Sequence, residues 1–356
     1  MQQHPHTPDR LDTETLEHIT ACDWRYEPLV GYFRGNFNLI KESKHASFNS
    51  YNFAELFGTT VDRLPVDCLE KIEAGNWEYE PLSRSDRDDC VVEILDRTEQ
   101  RKLTTVANED VSRWNKGWGE NLSDFNESNG DINTLVPKYI RPAQPVRLNQ
   151  DFVSTADPLF ELHWYEVFRS WFLQSNLAGY DHIYEFGSGS GFNVAELARL
   201  FPKASIHGLD WASPSVEIVE QLRKVKGLNV KGHAFDFFHP DFSLNFPLNS
   251  AVITRGALEQ TGTNWGAFLN FLLEKRPRAC FHVEPIYEWY DKSNLIDYTA
   301  SKAHESRNFW RGFPQQLDIL EKEGKVRINK RKRVFFGSIT IEAYSQLFWE
   351  PSNYLR

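Results

Sequence analysis

Cysteine is scarce in this 356-residue chain: Cys22, Cys68, Cys90 and Cys280 are all there is, with no Cys-x-x-Cys pair. In a protein of this length that argues against a disulfide framework, and the lack of a close Cys/His cluster argues against a structural zinc site. Methionine is scarcer still, Met1 being the only one. The opening "MQQHPHTPDR" has no apolar core and is not read as a secretory leader, and no apolar run reaches membrane-spanning length. Positive charge is in deficit: the formal net charge is −10, which disfavours a phosphate backbone as partner. A cytoplasmic protein handling a small molecule, with neither nucleic acid nor membrane as partner, is the expectation. The one basic run, "KVRINKRKR" (Lys325 to Arg333), alternates charge with Val326 and Ile328 and reads as the solvated face of a strand.

Aromatic residues, by contrast, make up 14% of the chain, enough to line a cleft as well as a core. Residues 1–15 are polar and expected to fray. Residues 16–150 read as an accessory region, mainly helical, serving as lid, substrate or dimerisation surface; its aromatic content makes a homodimer a reasonable expectation. Within it "SRSDRDDCVVEILDRTEQ" has the spacing of one helix with Val91, Val92, Ile94 and Leu95 in its apolar stripe. "WRYEPL" (Trp24 to Leu29) is echoed by "WEYEPL" (Trp77 to Leu82), but two copies do not make a repeat protein. The stretch from Asn126 to Gln150 is rich in Asn, Pro and Gly and reads as a surface connector.

From residue 151 to 356 the texture changes. After the helical "DPLFELHWYEVFRSWFLQSNL", strand-like and helix-like segments alternate: "HIYEF", "NVAELARLF", "ASIHGLD", "SPSVEIVEQLRKV", "NVKGHAFD", "SAVITRG", "NWGAFLNFLLEKR", "RACFHVE". Ser213 stands as N-cap with Pro214 at the first helical position. Such alternation predicts an α/β fold, a Rossmann-like, doubly wound, mostly parallel sheet. The tail, "GKVRINKRKRVFFGS" and "EAYSQLFWEP", predicts an antiparallel C-terminal hairpin at its edge.

The first strand ends in "EFGSGSG". Gly187, Gly189 and Gly191 let the backbone turn through positive φ and let a ligand approach closely. A dinucleotide fingerprint is G-x-G-x-x-G, with a helix N-terminus facing a pyrophosphate. Here the spacing is G-x-G-x-G and Glu185 stands two residues ahead. A carboxylate there repels a pyrophosphate and suits a cation. The inferred cofactor is therefore S-adenosylmethionine, with its sulfonium and ammonium, rather than NAD.

These residues resemble the first motif of the class I S-adenosylmethionine-dependent methyltransferases, E/D-x-G-x-G-x-G. The resemblance implies that Glu185, Gly187, Ser188, Gly189, Gly191 and Asn193 hold the cofactor, which leaves as S-adenosylhomocysteine. It implies that Asp210, ending the second strand in "GLDW", binds the ribose hydroxyls and that Trp211 stacks near the adenine. It places Asp236 on the adenine amine, with Phe237 supplying the adjacent N–H. Arg255, in "TRGALEQTG" after the fourth strand, is assigned to the same cofactor site. More loosely, "FEL..WYEVF", "ALEQ" and "HVEPIYE" look like segments of bacterial methyltransferases acting on sugars.

Methyl transfer requires donor and acceptor to be held at attack distance, and a hydroxyl acceptor also needs a base. Glu284 in "HVEPIYEWYD" is favoured as that base, with Glu259 and His304 as further catalytic candidates. His163, Tyr287, Tyr290 and Arg307 are the expected substrate contacts. Trp164, Tyr165, Trp289 and Trp310 are further rings that could stack on a sugar, although packing competes for each. No tight carboxylate cluster is left over, so no metal ligands are expected. The reading is methyl transfer to an oxygen of a saccharide or other small polar metabolite. The alternatives are a natural-product N-, O- or C-methyltransferase and a methyltransferase-like binding protein without turnover.

Overall fold

The computed structural model describes residues 46–100 and 110–352. The expected frayed start, Cys22 and the first "WRYEPL" copy lie outside them. From His182 onward the strands form one seven-stranded sheet. They are β5 (His182–Phe186), β6 (Ser205–Asp210), β7 (Val230–Ala234), β8 (Ser250–Arg255), β9 (Ala279–Glu284), β10 (Val326–Lys332) and β12 (Ser345–Pro351). Their order is β10-β12-β9-β8-β5-β6-β7, with β5 to β9 parallel and β12 antiparallel to both neighbours. The predicted doubly wound sheet with an antiparallel edge hairpin is what forms. Strand order reverses between β5 and β8, which opens a crevice at the carboxyl ends of those two strands.

Local chemistry explains the elements. Helix α3 (Arg84–Glu99) starts where the Ser83 side chain accepts from the Asp86 N–H and buries Cys90, Val91 and Ile94. Val92 is 56% exposed, so the stripe is narrower than expected. In β10 the expected alternation holds: Arg327, Asn329 and Arg331 face solvent, while Lys330 lies over the Trp171 ring. Helix α7 (Ser213–Lys226) has Ala212, not Ser213, as its cap residue. The Ala212 N–H is taken by Asp210 Oδ1 instead of a capping side chain.

The first half differs most from expectation. It holds helices α1 (Ser50–Phe57), α2 (Val66–Ala74), α3 and α4 (Ser112–Glu127), but also strands β1 (Ala46–Ser47), β2 (Glu78–Pro81) and β3 (Val146–Leu148). These join β4 (Asp151–Thr155) and β11 (Phe336–Ser338) in a second, antiparallel sheet ordered β1-β2-β4-β3-β11. The expected domain boundary at 150/151 falls inside the β3–β4 hairpin. Asn149 and Gln150 both have positive φ, 49° and 63°, the geometry of a two-residue hairpin turn. The last part of what composition presents as a connector, Val146–Leu148, is therefore paired strand.

Helix α5 (Phe160–Leu177) lies between the two sheets. Trp164 stacks 3.9 Å from Phe336 of β11, while Phe172 meets Phe281 of β9 and Phe348 of β12. One apolar cluster thus runs through both sheets. No helix among the described residues is long and apolar enough to cross a membrane.

Candidate active site

The site grows from the end of β5. Gly187, Gly189 and Gly191 have φ of +74°, +53° and +73° and turn the chain into α6 (Phe192–Leu200). A Cβ on Gly187 would lie 2.2 Å from the Ala257 Cβ, and one on Gly189 2.8 Å from the Trp118 ring. The first two glycines are therefore required by both dihedral angle and space.

Glu185 is buried just ahead of this turn. Its Oε1 accepts from Asn193 Nδ2 at 2.8 Å, and the Tyr165 hydroxyl donates to Asn193 Oδ1, fixing the amide. Its Oε2 is buried with no hydrogen-bond partner among the described residues. Burial pushes the carboxyl up to about 7, against the opposing pull of Asn193, Arg255 and Arg169. Asp210 closes β6, 6% exposed, accepting from the Gly189 N–H (Oδ2, 2.9 Å) and the Ala212 N–H (Oδ1, 2.9 Å). Burial raises it to about 6 despite those bonds. The Ser215 side chain and the Trp211 N–H act on it as well. Beyond it Trp211 lies 5.9 Å from Phe238, and Asp236 accepts from the Phe238 N–H and meets His239 Nδ1 at 3.0 Å. Phe237 is half-buried, edge-on to Phe268.

A cleft of about 120 Å³ opens over the glycine turn. Glu185, Gly187, Ser188, Gly189 and Asn193 line it together with Glu161, Arg255, Glu259 and Gln260. Trp114, Trp118, Tyr139 and Tyr344 supply aromatic walls. The Arg255 guanidinium lies 3.6 Å over the Tyr165 ring and donates from Nη1 to the Tyr139 hydroxyl at 2.9 Å.

The catalytic candidates fare unequally. Glu259 faces the cleft. Glu284 does not: it is wholly buried, and its carboxylate accepts the N–H groups of Ala257, Leu258 and Glu259 at 3.1–3.3 Å. It anchors the turn that presents Glu259, so its assignment as base is corrected to a structural one. His304 is also wholly buried, bonded through Nε2 to the Trp310 carbonyl at 2.8 Å and pushed to about 3 by burial. It stays neutral and out of reach, and is removed as a base.

The expected substrate contacts are corrected as a group, since none lines the cleft. His163 pairs with Asp157 at 2.6 Å, a bond that raises its pKa. Tyr287 bonds Glu305 and accepts from Lys292. Tyr290 is buried and accepts from the Glu342 N–H. Arg307 is buried with its guanidinium over Phe309, and its charge acts on Glu259. Sequence reasoning chose the wrong residue of α5. Glu161, two positions before His163, is the one in the cleft, and two positions on a helix lie about 200° apart. Trp114, Trp118, Tyr139 and Tyr344 were also missed; the i, i+4 spacing of the two tryptophans on α4 was the one available signal.

No family model and no curated protein matches the sequence. Solved structures are similar in layout. Human N-acetylserotonin methyltransferase in complex with SAM aligns over 76% of this chain and 68% of its own, at 13% identity and TM-score 0.42. A riboflavin-derivative dimethyltransferase, N,N-8-amino-8-demethyl-D-riboflavin dimethyltransferase from Streptomyces davawensis, aligns over 55% and 60%, at 14% and 0.37. Magnesium protoporphyrin IX methyltransferase from Synechocystis PCC 6803 with bound SAH aligns over 52% and 81%, at 14% and 0.38. At these values the likeness concerns the arrangement of strands and helices alone.

Proposed function

We propose that this protein is an S-adenosylmethionine-dependent methyltransferase acting on a small polar acceptor. The observation that carries the reading is Glu185 Oε2, a buried carboxylate oxygen without a partner among the described residues, set beside a glycine cradle at the sheet's switch point. An ammonium group is the species that oxygen lacks, and an anionic pyrophosphate is the species it repels. Arg255 Nε, also buried and without a partner among the described residues, is the complementary donor for the carboxylate of the same amino-acid moiety. Asp210 would hold the ribose, and Trp211, Asp236 and Phe237 would flank the adenine. Once bound, the cofactor supplies an electrophilic methyl carbon on a sulfonium. The chain's own part is to fix the amino-acid end at Glu185, keep water out with Trp114 and Trp118, and hold the acceptor beside Glu259.

The saccharide reading loses part of its support, because Trp164, Tyr165, Tyr290 and Trp310 are packed in the core and offer no stacking face. Thermal unfolding tests the cofactor. S-adenosylhomocysteine in about hundredfold excess over its Kd is expected to stabilise the protein by about 2.7 kcal/mol, a rise of several degrees in Tm. NAD is expected to leave Tm unchanged. Asp210→Ala should lose most of the S-adenosylhomocysteine shift while folding normally by circular dichroism. Stabilisation by NAD alone, or by neither ligand, overturns the reading.

A further inference from the structure

Resting on that reading, we propose that the part of the cleft lined by Glu161, Glu259 and Gln260 is a subsite for an ammonium group of the acceptor. The unused polar atoms of these three residues are acceptors; the unused donor nearby, the buried Arg255 Nε, is the one assigned above to the cofactor's carboxylate. Glu161, half-buried on the cleft wall, takes no hydrogen bond from the described residues. Glu259 is 5% exposed, and only its Oε1 is engaged, by Gln260 Nε2 at 2.5 Å. That bond leaves Gln260 Oε1 buried without a partner among the described residues. All three are acceptors. A primary ammonium brings three N–H donors and no acceptor, whereas a hydroxyl brings one donor and leaves both carboxylates charged.

Charge points the same way. Among the described residues lining the cleft Arg255 is the one cation, and it forms no ion pair with either carboxylate; its guanidinium lies over Tyr165 and is bonded to Tyr139. Tyr139 and Tyr344, both close to Glu161, add aromatic rings to the lining, and ring faces attract organic cations. The groups facing Glu259 are Glu284 from β9, Arg307 from α9 (Leu295–Arg307) and Arg255 from β8; those facing Glu161 are Arg255, Tyr139 and Tyr344. Burial pushes Glu161 up to about 7, and burial together with Glu284 pushes Glu259 up as well. Glu161 therefore ionises as pH rises through about 7 and Glu259 through about 8. Affinity for an ammonium should rise with them, until the amine itself loses its proton near ~10.

The probes are 2-phenylethylammonium, its neutral isostere 2-phenylethanol, and methyl glucoside, each added to protein saturated with S-adenosylhomocysteine and followed by thermal shift. The ammonium is expected to raise Tm, the alcohol and the glucoside not. Glu161→Gln and Glu259→Gln should each lose about tenfold in ammonium affinity, the weight of one charge-assisted contact, while binding S-adenosylhomocysteine as the wild type does. Should a variant fail to fold, the wild type alone decides: its ammonium affinity must climb several-fold between about pH 6 and about pH 8. Equal binding of the alcohol, preferential binding of the glucoside, or a flat pH dependence overturns the subsite and leaves the cofactor reading standing. Failure of S-adenosylhomocysteine to bind overturns the cofactor reading instead.

Discussion

Glu284 and Glu161 are both carboxylates placed near the sheet's carboxyl edge, and their surroundings give them opposite roles. Glu284 satisfies three backbone N–H groups; Glu161 satisfies none among the described residues. Glu284→Ala would strand buried donors at about 1–3 kcal/mol each, and a net loss of about 3 kcal/mol is expected in urea unfolding. Glu161→Gln should do the reverse in a pH-dependent way. The folded state holds the Glu161 proton up to about 7, above the ordinary carboxylate value. Its ionisation therefore costs stability increasingly as pH rises from the unfolded-state value through that point. The variant should match the wild type near pH ~5 and exceed it in Tm near pH ~8. A Glu284→Ala protein as stable as wild type, or a Glu161→Gln protein less stable near pH ~8, contradicts these roles. What was legible at this scale was local: Glu185, the glycines and Asp210 share one strand-turn-helix-strand unit, so their places follow from spacing along the chain. Glu161 was not legible, because its direction depends on how α5 is rotated between two sheets.

At the scale of elements, strands and amphipathic helices declared themselves through period and caps, while their docking did not. Helix α4 is the instructive case. Nothing in its sequence says that Trp118 covers Gly189 or that Asn115 Oδ1 accepts the Ser213 N–H at 3.2 Å. Together with the Trp114–Trp118 stack and the contact of Trp118 with Ala212, these interactions make α4 the roof of the glycine turn. Hydrogen exchange should register this. Adding S-adenosylhomocysteine is expected to slow amide exchange in residues 112–127 and 187–193, since ligand contacts there suppress local opening. Helix α3, docked on α9 around Cys90 and Ile94, should exchange as before. Unchanged exchange in α4 with protection of the glycine turn alone would show that the helix takes no part in holding the ligand.

At the scale of the molecule, composition suggested a seam after residue 150, and the chain instead crosses it repeatedly. Strand β11 leaves the C-terminal half to pair with β3, and β12 returns to the seven-stranded sheet. Arg147 of β3 reaches Asp297 of α9 at 3.1 Å with both side chains buried, and Arg333 meets the same carboxylate from the other side. Phe57 of α1 stacks 4.8 Å from Trp171 of α5. A fragment of residues 151–356 would keep every glycine-turn residue yet strip β4 and β11 of their partners. It would also uncover the face of α5 that carries Trp164 and Phe168, an apolar patch of the kind that drives aggregation. That fragment is therefore expected to bind a hydrophobic dye, to melt without a cooperative transition and to show no stabilisation by S-adenosylhomocysteine, whereas the full chain does. A soluble, cooperatively melting fragment that responds to the ligand would mean that the two sheets fold separately. The burial of Arg147 against Asp297 argues that they do not, because dividing the chain there leaves Asp297 without that guanidinium partner in a wholly buried place.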